Sequence, residues 1–206
     1  MTSPWLPVHT DRLRLRLYEP TDHPWLLDLF GRPDVARYLL DEPWTPELAT
    51  QRLAERTGRT GLDGDAGALA LAVEHEGVPV GDLALWLTDR ERGVAEVGWV
   101  LHPDAGGRGL ATEAVRAVLD VAFGDYHLHR VAAQMDARNT ASARLAERLG
   151  MHREAHLRQD WWSKGEWTDT LVYALLSTDE AARPTRPGRH SSAHQRGWTA
   201  SRSSRS

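Results

Sequence analysis

Glu96 to Ala111 reads EVGWVLHPDAGGRGLA. An apolar run, Val97 to Leu101, meets a loop holding Pro103, Gly106, Gly107 and Gly109, and a helical pattern opens directly after it. That order suits the holding of phosphate. Glycines let backbone N–H groups approach an anion, and a helix N-terminus offers unpaired N–H groups and partial positive charge. Arg108 adds a full charge. A plain tight turn would use the same glycines, so the loop alone leaves both readings open. Two other phosphate-binding designs are excluded by residue type. A P-loop needs a Gly-Lys pair, and the chain's single lysine, Lys164, follows a serine. A dinucleotide-binding GxGxxG would need glycine where Thr112 stands, in an early βαβ unit; this loop lies mid-chain after several apparent strands.

The elements that must position this loop follow from the residue pattern. Leu13, Leu15 and Leu17 alternate with arginines, as in a half-buried strand. Thr21-Asp22 starts a helix with Trp25, Leu26, Leu29 and Phe30 on its apolar face, and Thr45-Pro46-Glu47 starts another to about Thr57. Gly61, Gly64 and Gly67 mark a polar loop. Ala68 to His75 and Val78 to Leu87 form a hairpin about Glu76-Gly77, and Val94 to Leu101 is the next strand. Leu110, Ala114, Val118 and Val121 have helical spacing, Arg130 to Met135 suits a buried strand, and Asn139 N-caps a helix that Gly150 stops. His152 to Trp161 and Trp167 to Leu176 close the chain as a hairpin about Lys164-Gly165-Glu166.

The 206 residues suit one domain, 41% hydrophobic and 26% charged. No cysteine is present, which excludes disulfides, thiolate metal sites and a cysteine nucleophile. The N-terminus lacks a basic segment followed by an apolar run, and no apolar stretch approaches 18 residues, so a cytoplasmic protein without a membrane partner is expected. The net charge of −4 hides an asymmetry: residues 181–206 hold six arginines and no acid, leaving 19 basic against 29 acidic residues in 1–180. So acidic a body argues against a nucleic-acid partner and tends to attract amines. The expected division is a folded domain over 1–180 and a disordered Arg/Ser-rich tail over 181–206.

Four segments in order resemble the GNAT acyl-CoA N-acetyltransferases over about residues 8–178. GGRGLATEAV (Gly106 to Val115) is similar to that family's acetyl-CoA pyrophosphate loop. Asn139-Thr-Ala-Ser142 with Leu145-Ala-Glu-Arg-Leu-Gly-Met151 is similar to its N-x-x-S/A…L-x-E-x-x-G-F segment. TDRLRLRLYEPTD and Gly165-x-Trp167-x-Asp169…Tyr173 resemble the RimJ/RimL-type ribosomal-protein-acetyltransferase branch. The resemblance implies an α/β (α+β) GNAT fold: a mixed, mostly antiparallel seven-stranded sheet flanked by helices, with a splayed central strand pair. It also implies acetyl transfer from acetyl-CoA, as co-substrate, to a primary amine. The acceptor is a protein N-terminus or a small amine, attack is direct through a tetrahedral intermediate, and no metal takes part. Two departures stand out. Gly106 or a neighbour occupies the loop's usual Gln/Arg position, and Ala146 stands where many relatives carry a tyrosine acid.

By the same resemblance, backbone N–H groups of Gly107, Arg108, Gly109, Leu110, Ala111 and Thr112 take the pyrophosphate. The pantetheine arm pairs with main chain from Trp99 to Leu101, and the Val100 N–H serves as oxyanion donor. Asn139 bonds the pantetheine or an ordered water, or is a plain N-cap. Ser142 donates to the departing sulfur, or is a first-turn helix serine. Glu96 deprotonates or attracts the amine, or is a surface strand carboxylate in an ion pair. Asp169 and Glu154 are further candidates on the acceptor side. His152 and His156 would stand about 13 Å apart on a strand, too far to share a metal. Trp161, Trp162 and Trp167 leave core, homodimer and acceptor-pocket roles open. A non-catalytic acyl-CoA-binding regulatory domain is the competing reading, sustained by Ala146.

Overall fold

The computed structural model describes residues 5–183. Val8–His9 (β1) and Leu13–Arg16 (β2) pair as a short antiparallel ladder. His23–Phe30 (α1) follows a 3-10 turn at Pro20–Asp22, Pro33–Ala36 forms a single turn (α2), and Pro46–Thr57 (α3) begins where the Thr45 hydroxyl accepts the Leu48 N–H. Thr60–Gly61 (β3), Ala68–His75 (β4), Val78–Asp89 (β5) and Val94–Leu101 (β6) come next. After the loop come Leu110–Gly124 (α4), Arg130–Asp136 (β7), Thr140–Arg148 (α5), His152–Ser163 (β8) and Glu166–Leu176 (β9).

The strands form one sheet in the order β1-β2-β4-β5-β6-β7-β9-β8, with β3 on β4. Nine strands stand where seven were expected, because β1 and β3 are two-residue pieces too short to show alternation. All pairings are antiparallel except β6 with β7. Alternate residues of β4 explain the layering. Leu69, Leu71 and Val73 enter the core beneath α4 and α5; Ala70 and Ala72 pack on the other face against Leu26, Leu29, Phe30 and Leu53 of α1 and α3.

The domain end differs from expectation. Glu180–Ala182 forms a 3-10 turn, and Ala182 is buried. Arg116 donates to the Ala181 and Leu149 carbonyls at 2.6 and 2.7 Å. Gly150, at φ +81°, leaves room for Ala181, whose Cβ would lie 2.4 Å from any Cβ at position 150. Ala181 and Ala182 therefore belong to the folded body. Of the expected tail, residues 184–206 lie outside the described residues.

Candidate active site

β6 and β7 run parallel and pair only from Val94↔Arg130 to Glu96↔Ala132. Beyond Glu96 they part, while β7 keeps its ladder with β9 as far as Asp136↔Thr170. The gap opens toward the C-terminal ends of both strands, where the glycine loop follows β6 and Asn139 follows β7. Register decides which groups face it. His102 N–H donates to the Val80 carbonyl at 2.8 Å, and Leu87 N–H to Gly67 at 2.9 Å. Alternation along these ladders turns the main-chain groups of Gly98 and Val100 toward β5, and those of Val97, Trp99 and Leu101 toward the gap. The expected oxyanion donor, the Val100 N–H, is thus directed at Asp82 instead. Its side chain packs on the cluster formed by α1 and α3.

At the mouth of the gap, α4 begins without a side-chain cap. Its N-cap is Gly109, at φ +75°. Glu113 N–H is the first to bond back, to the Gly109 carbonyl at 3.1 Å, so the N–H groups of Leu110, Ala111 and Thr112 precede the helical ladder. Gly107, at φ +74°, has no atom within 4 Å of where a Cβ would stand. This uncapped, open cradle fits a phosphate-bearing group. Leu110 contributes only main chain there, because its side chain is buried in the core. Arg12, which the sequence did not flag, holds the cradle in place. It bonds the Arg108 carbonyl at 2.8 Å and Glu113 on the first turn of α4, and Thr10 also donates to Glu113. These partners lie about a hundred residues away in sequence, beyond any spacing argument.

On the other side of the gap, Asn139 N-caps α5 by accepting the Ser142 N–H at 3.1 Å. The half-buried Ser142 Oγ accepts the indole N–H of Trp99 at 3.2 Å. That contact leaves the serine's own O–H to donate elsewhere. Ala146, one turn later, is wholly buried in the core. Glu96, at the point of divergence, is half-buried and accepts from Gln134 Nε2 at 3.1 Å. Burial pushes its carboxyl above the ordinary range, and the Gln134 bond offsets part of that. No cation lies within ion-pair distance of Glu96 among the described residues, which removes the ion-pair reading there.

A single cleft of about 610 Å³ passes through the gap, with Glu96, Trp99, Val100, Asn139 and Ser142 in its lining. Arg56 crosses its inner wall, paired with Asp82 at 2.8 Å over the faces of Phe30 and Trp44; Tyr18 donates to the same carboxylate. Trp161 joins the lining, but Trp161, Trp162 and Trp167 are all exposed, so none is a core residue. Asp169 and Glu154 are taken up elsewhere, by His156 and the Gln159 N–H and by Arg130 respectively, and neither lines the cleft. His152 and His156 lie along β8. No cluster of three metal-ligating side chains occurs among the described residues, and no described helix is long and apolar enough to cross a membrane.

Residues 12–152 match the family described as Acetyltransferase (GNAT) domain. The chain is 29% identical over 174 residues to an uncharacterized N-acetyltransferase, p20, of Bacillus licheniformis, covering 84% of this chain and 98% of that relative. A solved GNAT-family acetyltransferase from Bacillus anthracis superposes with a TM-score of 0.75 at 26% identity, covering 83% of this chain and 98% of the other. The spermidine N-acetyltransferase of Vibrio cholerae, solved with CoA and spermine, superposes at 0.70 with 21% identity, covering 82% and 97%, and shares the fold.

Proposed function

The chain belongs to the GNAT family of acetyltransferases, and from that premise we propose that it moves an acetyl group from acetyl-CoA to a primary amine within the gap between β6 and β7. The observation that carries the reading is the parting of these strands after Glu96↔Ala132. It opens one cleft onto a carboxylate, a serine hydroxyl and outward-turned main chain at once. The uncapped start of α4 receives the pyrophosphate through N–H groups from Gly107 to Thr112, with Arg108 adding charge and Arg12 fixing the loop. Trp99 and Leu101 present main chain to the pantetheine arm, and Asn139 stands beside it at the end of β7.

Acetyl-CoA supplies the acetyl group as a thioester. Glu96 accepts the proton that the amine must lose before attack. Its raised affinity for a proton brings it closer to the amine's own, which favours transfer near neutral pH. The Trp99 N–H, directed to the gap, takes the oxyanion role that Val100 cannot fill. The Ser142 O–H donates to the sulfur as it gains charge, oriented by the Trp99 indole. Thiolates leave readily, so positioning is the larger contribution and the serine a smaller one. A protein N-terminus and a small-molecule amine both fit this chemistry.

The test is release of free CoA thiol from acetyl-CoA with a panel of primary amines. Release that depends on the amine, with an acetylated product by mass, supports transfer. Binding of acetyl-CoA without turnover across the panel would instead favour a regulatory acyl-CoA-binding domain.

A further inference from the structure

The charges of the cleft do not cancel evenly between floor and mouth. Along the α3 wall, Asp41 and Glu55 are tied to Arg52, with Arg59 3.9 Å from Glu55, and Asp82 is tied to Arg56. Those groups balance. On the floor, Glu96 has only the neutral Gln134 as a partner among the described residues. At the mouth, Lys164 reaches from the turn between β8 and β9 to donate to the carbonyl of Ala36, the residue before Arg37. Arg37 itself lies over the Tyr38 ring. Both cations are exposed, both line the cleft, and neither has a carboxylate partner among the described residues. Arg138 is shared by Asp136 and Glu166, a cluster that carries one surplus negative charge nearby. Even with that cluster counted at the mouth, the mouth keeps a positive surplus over a negative floor.

We infer that the acceptor carries a carboxylate as well as its amine, as the N-terminus of an acidic peptide does, with the amine at Glu96 and the carboxylate at Arg37 and Lys164. The inference rests on the acetyltransferase reading above and specifies its acceptor. A guanidinium and an ammonium lining the same mouth each suit a carboxylate through charge-assisted hydrogen bonds, bidentate at the guanidinium. A polyamine fits the same cleft poorly. Its first ammonium finds Glu96, but its next meets two unpaired cations where it needs an acid. Salt should weaken the selection, since both mouth cations are exposed.

The experiment compares kcat/KM for short peptides that share an N-terminus and differ only by glutamate or glutamine at the next position, alongside spermine. The wild-type protein should favour the glutamate peptide by about tenfold, the scale of one charge-assisted contact at an exposed rim. Arg37→Gln with Lys164→Gln should reduce that ratio to within about twofold, again on the scale of a lost rim contact. Arg32→Gln, outside the cleft and paired with Asp34, should leave the ratio as it was. Melting curves confirm that each variant folds. Spermine turned over faster than the glutamate peptide, or a ratio untouched in the double variant, overturns the acidic-acceptor inference alone. No CoA release with any acceptor overturns the acetyltransferase reading and this inference with it.

Discussion

The indole N–H of Trp99 on β6 donates to the hydroxyl oxygen of Ser142 on α5 at 3.2 Å, across the gap where β6 and β7 have parted. One residue thereby does two things. Its ring fixes the serine's orientation, and its main chain, by register, faces the same gap. Ser142→Ala should lower kcat by about a hundredfold, the low end for general acid catalysis, with little change in the KM for acetyl-CoA. Trp99→Phe keeps the ring and loses the donor, and should give a smaller loss in kcat. Full kcat in Ser142→Ala would return the serine to a purely structural place on α5.

Glu96 carries a pH signature in both activity and stability. Its carboxyl is raised by burial, so the folded state holds that proton more tightly than the unfolded chain does. The stability it contributes is complete below the ordinary carboxylate range and is lost as pH rises through the raised value. Glu96→Gln should therefore raise the melting temperature at pH 8 relative to wild type, and much less so near pH 4. In kinetics the same variant's kcat/KM deficit should shrink as pH nears the acceptor's own pKa, about 10 for a lysine-like amine. A deficit constant across that range would leave Glu96 an attracting charge and not a base.

The cradle makes a separable claim about Gly107. Aspartate tolerates its left-handed backbone better than most residues, and nothing lies within 4 Å to clash with it. Gly107→Asp should lower the melting temperature only by a few degrees, the cost of a left-handed backbone, while acetyl-CoA affinity by calorimetry falls at least about tenfold, one misplaced charge at a phosphate site. Unchanged affinity would remove the loop from the binding site.

The chain end can be divided by truncation. Ending after Arg183 should preserve both melting temperature and turnover. Ending after Glu180 removes the buried Ala182 and the carbonyl that Arg116 bonds. That should cost about 1–3 kcal/mol, and several degrees of melting temperature. Equal stability of the two truncations would contradict the docking of Ala181 and Ala182.

The elements that position the site were readable because each has a local cause. Leu110 to Phe123 has helical spacing, Asn139 is a capping side chain, and the run from Val94 to Leu101 meets its glycines where the strand ends. What escaped the sequence is set by partners far along the chain. Arg12 on Glu113, Lys164 on Ala36 and Ala181 against Gly150 have no local signal. The assignment of Val100 failed for a subtler reason. One residue of register decides whether an N–H faces the neighbouring strand or the gap, and only the observed ladder with β5 fixes that parity. The expected tail took in Ala181 and Ala182, which are docked, because two alanines carry no apolar pattern of their own.

The central claim is that the parted strands receive acetyl-CoA along the main chain of β6. Residue-resolved amide hydrogen exchange, with and without saturating acetyl-CoA, tests it most directly. The account predicts new protection at Trp99 and Leu101 and across Gly107 to Thr112, with little change at Val100, whose N–H already faces β5. Protection that appears at Val100 while Trp99 and Leu101 exchange as before, or that bypasses the loop, would contradict it.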